Sequence, residues 1–155
     1  MSVPEFLASI HGFFATIYLM AFAGAFAELI ELTHAGVKRV KWGVAVMTAT
    51  AILLVSSGLW SYIFYRAPVP DSPRSILKAG PTPWVHEILF ELKEHIGTFI
   101  PAIMLVALYI VFIHSDELRD NKALKLAVAA LLILALLWTL ATFGLGVYVT
   151  KIAPL

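Results

Sequence analysis

The chain has 155 residues, 61% of them hydrophobic and 14% charged, with a formal net charge of +1 and a mean hydropathy of +0.90. A soluble domain is nearer half apolar and a quarter charged, so this composition excludes a water-soluble globule, and the small net charge gives no footprint for nucleic acid. The absence of cysteine excludes disulfides, thiolate metal sites and a covalently attached c-type haem.

Four continuous apolar runs, at 6–27, 44–64, 96–113 and 124–149, predict an all-α integral membrane protein. Each run is long enough for a helix to cross about 30 Å of hydrocarbon, whereas a membrane β-barrel alternates polar and apolar residues in short segments. The expected architecture is a single-domain, up-down four-helix bundle with spans at about 5–30, 42–65, 85–114 and 123–150. The first span follows Met-Ser-Val-Pro-Glu, which lacks the basic residues of a signal peptide, and it ends in Glu28, Glu31 and His34; it is expected to be retained.

Between spans one and two come Lys38, Arg39 and Lys41, and between spans three and four come Arg119, Lys122 and Lys125. The positive-inside rule therefore puts both loops in the cytoplasm of a cell membrane and both termini outside it. The second loop, 66–84, is rich in proline, which fixes φ and removes a donor, so stiff non-helical chain is expected there. It is either a spacer or a segment that folds back onto the membrane face through Ile76, Leu77 and Trp84. The third helix is expected over 85–114 and to extend beyond the bilayer, its first turns projecting outward with Ile88, Leu89 and Leu92 on one face and Glu87, Glu91, Glu94 and His95 on others. Inside that span, Pro101 leaves the Gly97 carbonyl without its helical donor and should kink the helix.

Function has to come from polar groups in the spans, because ionisable residues there are costly and usually have a task. The histidines bracket the first and third spans: His11 and His34 on one, His95 and His114 on the other, with His86 further out. In an up-down bundle those helices run in the same direction, so His11 and His95 fall at similar depth. Two imidazoles at one depth, with an apolar slot between helices, are what a b-type haem requires. Small residues that would make room include Gly12, Ser57, Gly97 and Gly144; Arg66, Arg74, Lys78 and Lys151 are candidate partners for haem propionates, and Phe13, Phe14, Phe99 and Trp138 for the ring. Small residues also serve close helix packing, and a membrane histidine also serves as a hydrogen-bonding group between helices. A rival site, for one Zn or Cu ion, would use His86, Glu87, Glu91 and His95. No glycine-rich phosphate loop, nucleophile elbow or His-Glu-x-x-His zinc helix occurs.

The segment Ile10-His-Gly-Phe-Phe-Ala-Thr-Ile-Tyr-Leu-Met-Ala-Phe-Ala-Gly-Ala-Phe26, followed by His34, resembles the first helix of small four-helix membrane haem proteins. These include membrane-type bacterial protoporphyrinogen oxidases, copper-resistance D-like proteins and bacterial di-haem cytochromes b. The resemblance covers one helix and the bundle architecture; the long third helix and Pro-rich loop depart from it. It implies a haem b held by histidines in a quinone-linked electron carrier or membrane oxidoreductase. The expected partners are lipid, quinone, and other membrane subunits or further copies of the chain. The alternative is a haem-free accessory subunit.

Overall fold

The computed structural model describes residues 2–153, and they form an all-helical bundle in which four helices are long and apolar enough to cross a membrane. Helix α1 (Val3–Ile30) begins at a reciprocal cap: the Ser2 hydroxyl accepts from the Glu5 amide while the Glu5 carboxylate accepts from the Ser2 amide, with Pro4 in the first turn. Thr33 caps α2 (His34–Tyr65) by accepting from the Gly36 amide at 2.9 Å. After a short α3 (Pro73–Ala79), a π-helical stretch at Val85–Phe90 runs directly into α4 (Glu91–Ile113). Asn121 caps α5 (Lys122–Ile152), its side-chain oxygen accepting from the amides of Ala123 and Leu124.

Two expectations are revised. Helix α2 starts well before residue 42, so His34, Lys38, Arg39 and Lys41 are helical and the first loop shrinks to residues 31–33. The hydropathy dips over this stretch, but Val37, Val40 and Val44 keep helical spacing, and Val40 and Val44 are fully buried. Loop 66–84 is not wholly non-helical: Ser72 caps α3 and Pro73 occupies its first turn, a position where the missing amide proton costs nothing. The third long helix, expected over 85–114, runs from Val85 to Ile113, its π-helical start and α4 together making 29 residues.

Helix α1 packs chiefly on α2, α4 packs on both α2 and α5, and α1 meets α5 only sparingly, leaving the α1–α5 seam the loosest in the bundle. The main core joins Tyr18, Val44, Met47, Met104, Val111 and Leu132 from all four long helices. At the end carrying the termini and loop 66–84, hereafter the terminal end, a second cluster gathers Tyr65, Leu77, Val85, Phe90, Val149 and Ala153. Leu77 is buried in it, so the loop folds back onto the bundle, while Ile76 and Trp84 stay exposed. The opposite end, with the two short connections, is the turn end.

Mid-bundle polar groups mostly satisfy themselves. Thr48 donates to the Val44 carbonyl at 2.8 Å and approaches the Met104 carbonyl across the α2–α4 contact at 3.3 Å. Tyr18 is fully buried, and its hydroxyl, the one buried side-chain polar atom among the described residues without a hydrogen bond, faces Thr139 of α5.

Candidate functional site

The polar residues of the spans collect at the terminal end. His11 on α1 faces α2, where its Nδ1 lies 2.9 Å from Ser57 Oγ and a side-chain carbon on Gly58 would sit 3.5 Å from its ring. The Ser57 hydroxyl gives its single proton to the Leu54 carbonyl at 3.0 Å. It therefore accepts from His11, which fixes the proton on His11 Nδ1 and leaves the lone pair on Nε2. His95, on α4, is exposed and donates from Nδ1 to the Glu91 carbonyl at 2.6 Å, so it has the same tautomer.

His86 differs. It is buried, its Nδ1 is 2.8 Å from the Tyr65 hydroxyl, and its Nε2 accepts from Arg74 Nε at 3.4 Å. Tyr65 stacks on Phe90 with ring centroids 3.8 Å apart, and Tyr62 stacks on both. Around this aromatic block, Glu91 Oε1 accepts from the Tyr62 hydroxyl at 3.3 Å and lies 3.6 Å from Arg66, whose guanidinium also covers the Tyr62 ring. Thus Arg66 and Arg74, expected as partners for haem propionates, are both tied into this network, while Lys78 and Lys151 are exposed.

The start of α4 also revises the expected amphipathicity. Ile88 and Leu92, two of the three residues of the expected apolar face, are 59% and 47% exposed. Lys93 and Glu94, by contrast, pair at 3.0 Å with only 21% and 20% of their side chains exposed. Val85, His86 and Phe90 turn inward, continuing the face that Ile100, Met104, Ala107 and Val111 bury further along the helix, and Glu87 turns outward. Apolar groups outside and charges inside suit a helix wrapped by lipid rather than one projecting into water. The Lys93 stem passes within 3.3 Å of where a side-chain carbon on Gly146 would be, and its ammonium lies 4.9 Å over Phe90.

The small residues divide. Ser57 and Gly58 face His11; Gly12 and Gly144 are exposed, and a side-chain carbon at Gly12, Gly97 or Gly144 would meet nothing within 4 Å. Phe99 meets Trp138 edge to face at 5.9 Å. Of the rival metal set, His86 has both ring nitrogens engaged and Glu87 is exposed, and no three such groups converge among the described residues. Sequence reasoning missed Tyr62, Tyr65 and Lys93. The tyrosines' i, i+3 spacing on α2, opposite a helix bearing His86 and Glu91, was the available signal.

Compared with protein-family models, curated proteins and solved structures, the chain has no significant match.

Proposed function

We propose that this chain is a membrane haem b protein that carries electrons, quinone-linked or as a subunit of a respiratory-type complex, in which His11 and His95 would hold the haem iron. One observation carries the reading: both rings have Nδ1–H committed, to Ser57 Oγ at 2.9 Å and to the Glu91 carbonyl at 2.6 Å, so each offers a basic Nε2. A hydrogen bond on the far nitrogen fixes tautomer and ring orientation in metal-ligating histidines and raises their basicity. His86, whose Nε2 already accepts from Arg74, serves structure instead.

A bound haem would supply a one-electron couple. The chain's own residues do the rest. Ser57 and Glu91 orient the two rings, and open space beside Gly12, Gly97 and Gly144 leaves room for a flat group against the helices. Ligation by two histidines of one chain draws His95 in from its exposed position. In this reading the chain lies in a cell membrane with both termini outside the cytoplasm.

A second reading, a haem-free accessory subunit, is favoured by the same His11–Ser57 bond, since it already joins α1 to α2. A reduced-minus-oxidised spectrum with a pyridine haemochrome assay separates the two. The haem reading expects a b-type α-band that is lost in both His11→Ala and His95→Ala; a colourless protein refutes it.

A further inference from the structure

At the turn end, the first turns of α2, the last turn of α4 and the connection to α5 enclose a cleft of about 720 Å³. One wall is basic: Lys38 and Lys41 lie one helical turn apart on α2. Among the described residues neither has a carboxylate partner. The opposite wall carries Asp116, equally unpaired, and Arg119, whose guanidinium is held by Asp120 through bonds of 3.0 and 3.4 Å. That pairing pushes the Arg119 pKa up and spends its charge locally. The lip of the cleft is apolar, with Trp42 64% exposed and Phe112 44% exposed, and Lys41 sits 4.7 Å over the Phe112 ring.

The cleft thus has two halves. Unpaired ammonium groups call for an anion, while exposed aromatic rings beside them call for hydrocarbon. A soluble anion uses only the first half; a phospholipid uses both, with its phosphate on the lysines and its acyl chains along Trp42 and Phe112. Basic recesses between helix ends, just outside the hydrocarbon, are where anionic headgroups bind. Asp116 narrows the choice further. A carboxylate in the lining repels a phosphate monoester dianion but accepts hydrogen bonds from hydroxyls. We propose that this cleft binds one anionic phospholipid with a hydroxylated headgroup, its phosphodiester held between Lys38 and Lys41 and its hydroxyls donating to Asp116. The inference stands apart from the haem reading, since it uses no residue of the terminal end.

The test is titration of the full-length chain in detergent micelles, followed by native mass spectrometry, with phosphatidylglycerol, phosphatidic acid and phosphatidylcholine as probes. Phosphatidylglycerol is expected to saturate at one tight site and phosphatidylcholine to show none. Replacing both lysines with glutamine is expected to weaken phosphatidylglycerol roughly thirtyfold, and either alone about fivefold, taking about one membrane-surface lysine contribution for each. The double variant Lys122→Gln/Lys125→Gln removes equal charge from the same end without touching the lining, and is expected to bind normally. Asp116→Ala should shift preference from phosphatidylglycerol toward phosphatidic acid. Equal losses in both lysine pairs would reduce the effect to diffuse charge and overturn the site. Tight phosphatidylcholine binding, or an Asp116→Ala variant with unchanged preference, would overturn the proposed chemistry. Displacement of phosphatidylglycerol by millimolar inorganic phosphate would identify a soluble anion as the ligand and overturn the lipid.

Discussion

The contact between α1 and α2 is set by a single hydrogen atom. A side-chain carbon built on Gly43 would lie 2.8 Å from Ala25 Cβ, 3.4 Å from Ala25 Cα and 3.5 Å from the Ala21 carbonyl oxygen. None of those atoms belongs to a flexible side chain, so Gly43→Ala must push the two helices apart. Gly24, on α1, offers a matched control, because a side-chain carbon there meets nothing within 4 Å. Both substitutions gain the same intrinsic helix preference, roughly 0.5–1 kcal/mol over glycine. Only Gly43→Ala also incurs overpacking, which costs about 1–3 kcal/mol in a close-packed site. The difference between the two variants cancels the shared gain, so Gly43→Ala should be less stable than Gly24→Ala by about 1–3 kcal/mol. Reversible unfolding in mixed micelles, followed by circular dichroism, measures that difference. Equal stabilities would refute the reasoning, because the α1–α2 interface would then have slack at Gly43.

Other substitutions probe the polar groups. Tyr18→Phe removes a buried hydroxyl that makes no hydrogen bond, and should leave stability unchanged or raise it by about 1 kcal/mol in the same unfolding assay. Tyr65→Phe strips the 2.8 Å partner from buried His86 and should cost about 1–3 kcal/mol. Because that loss sits under loop 66–84, hydrogen exchange in α3 should accelerate more than in the α1–α2 core. Thr48→Val deletes the 3.3 Å bridge to the Met104 carbonyl and should cost only about 0.6 kcal/mol, the usual value for a hydrogen bond between membrane helices. A loss above about 2 kcal/mol would mean that Thr48 holds α2 and α4 together by more than this bond.

The four-helix architecture was legible because apolar runs that long have few other solutions. The start of α2 was not, because hydropathy falls at Lys38, Arg39 and Lys41 while helical spacing continues through Val40 and Val44. Similarly, the prolines of loop 66–84 read as helix breakers, yet Pro73 starts α3 once Ser72 caps it. At the site, His11 and Ser57 were visible as polar residues in apolar surroundings. Their bond depends on the rotation of α1 against α2, and a sequence sets that only through packing. The inward turn of Lys93 and Glu94 was hidden more deeply: Lys93 lies two turns before buried Ile100, on the same face of α4, so the buried face runs through a charged residue while apolar Ile88 and Leu92 fall outside it.

The charges on that inward face bear on how the protein enters its membrane. An unpaired charge near the middle of an isolated helix costs about 2.5–3.5 kcal/mol to insert. Glu91, Lys93 and Glu94 would burden α4 at its leading edge if it entered lipid alone. In the finished bundle, Glu91 has Tyr62 and Arg66 on the preceding helix, and Lys93 has Glu94 and the face of Phe90. The residues that neutralise Glu91 all precede it in the chain, on the helix and loop that emerge from the ribosome first. The start of α4 is therefore least costly to place in lipid once the end of α2 already stands beside it, which couples the assembly of these two helices.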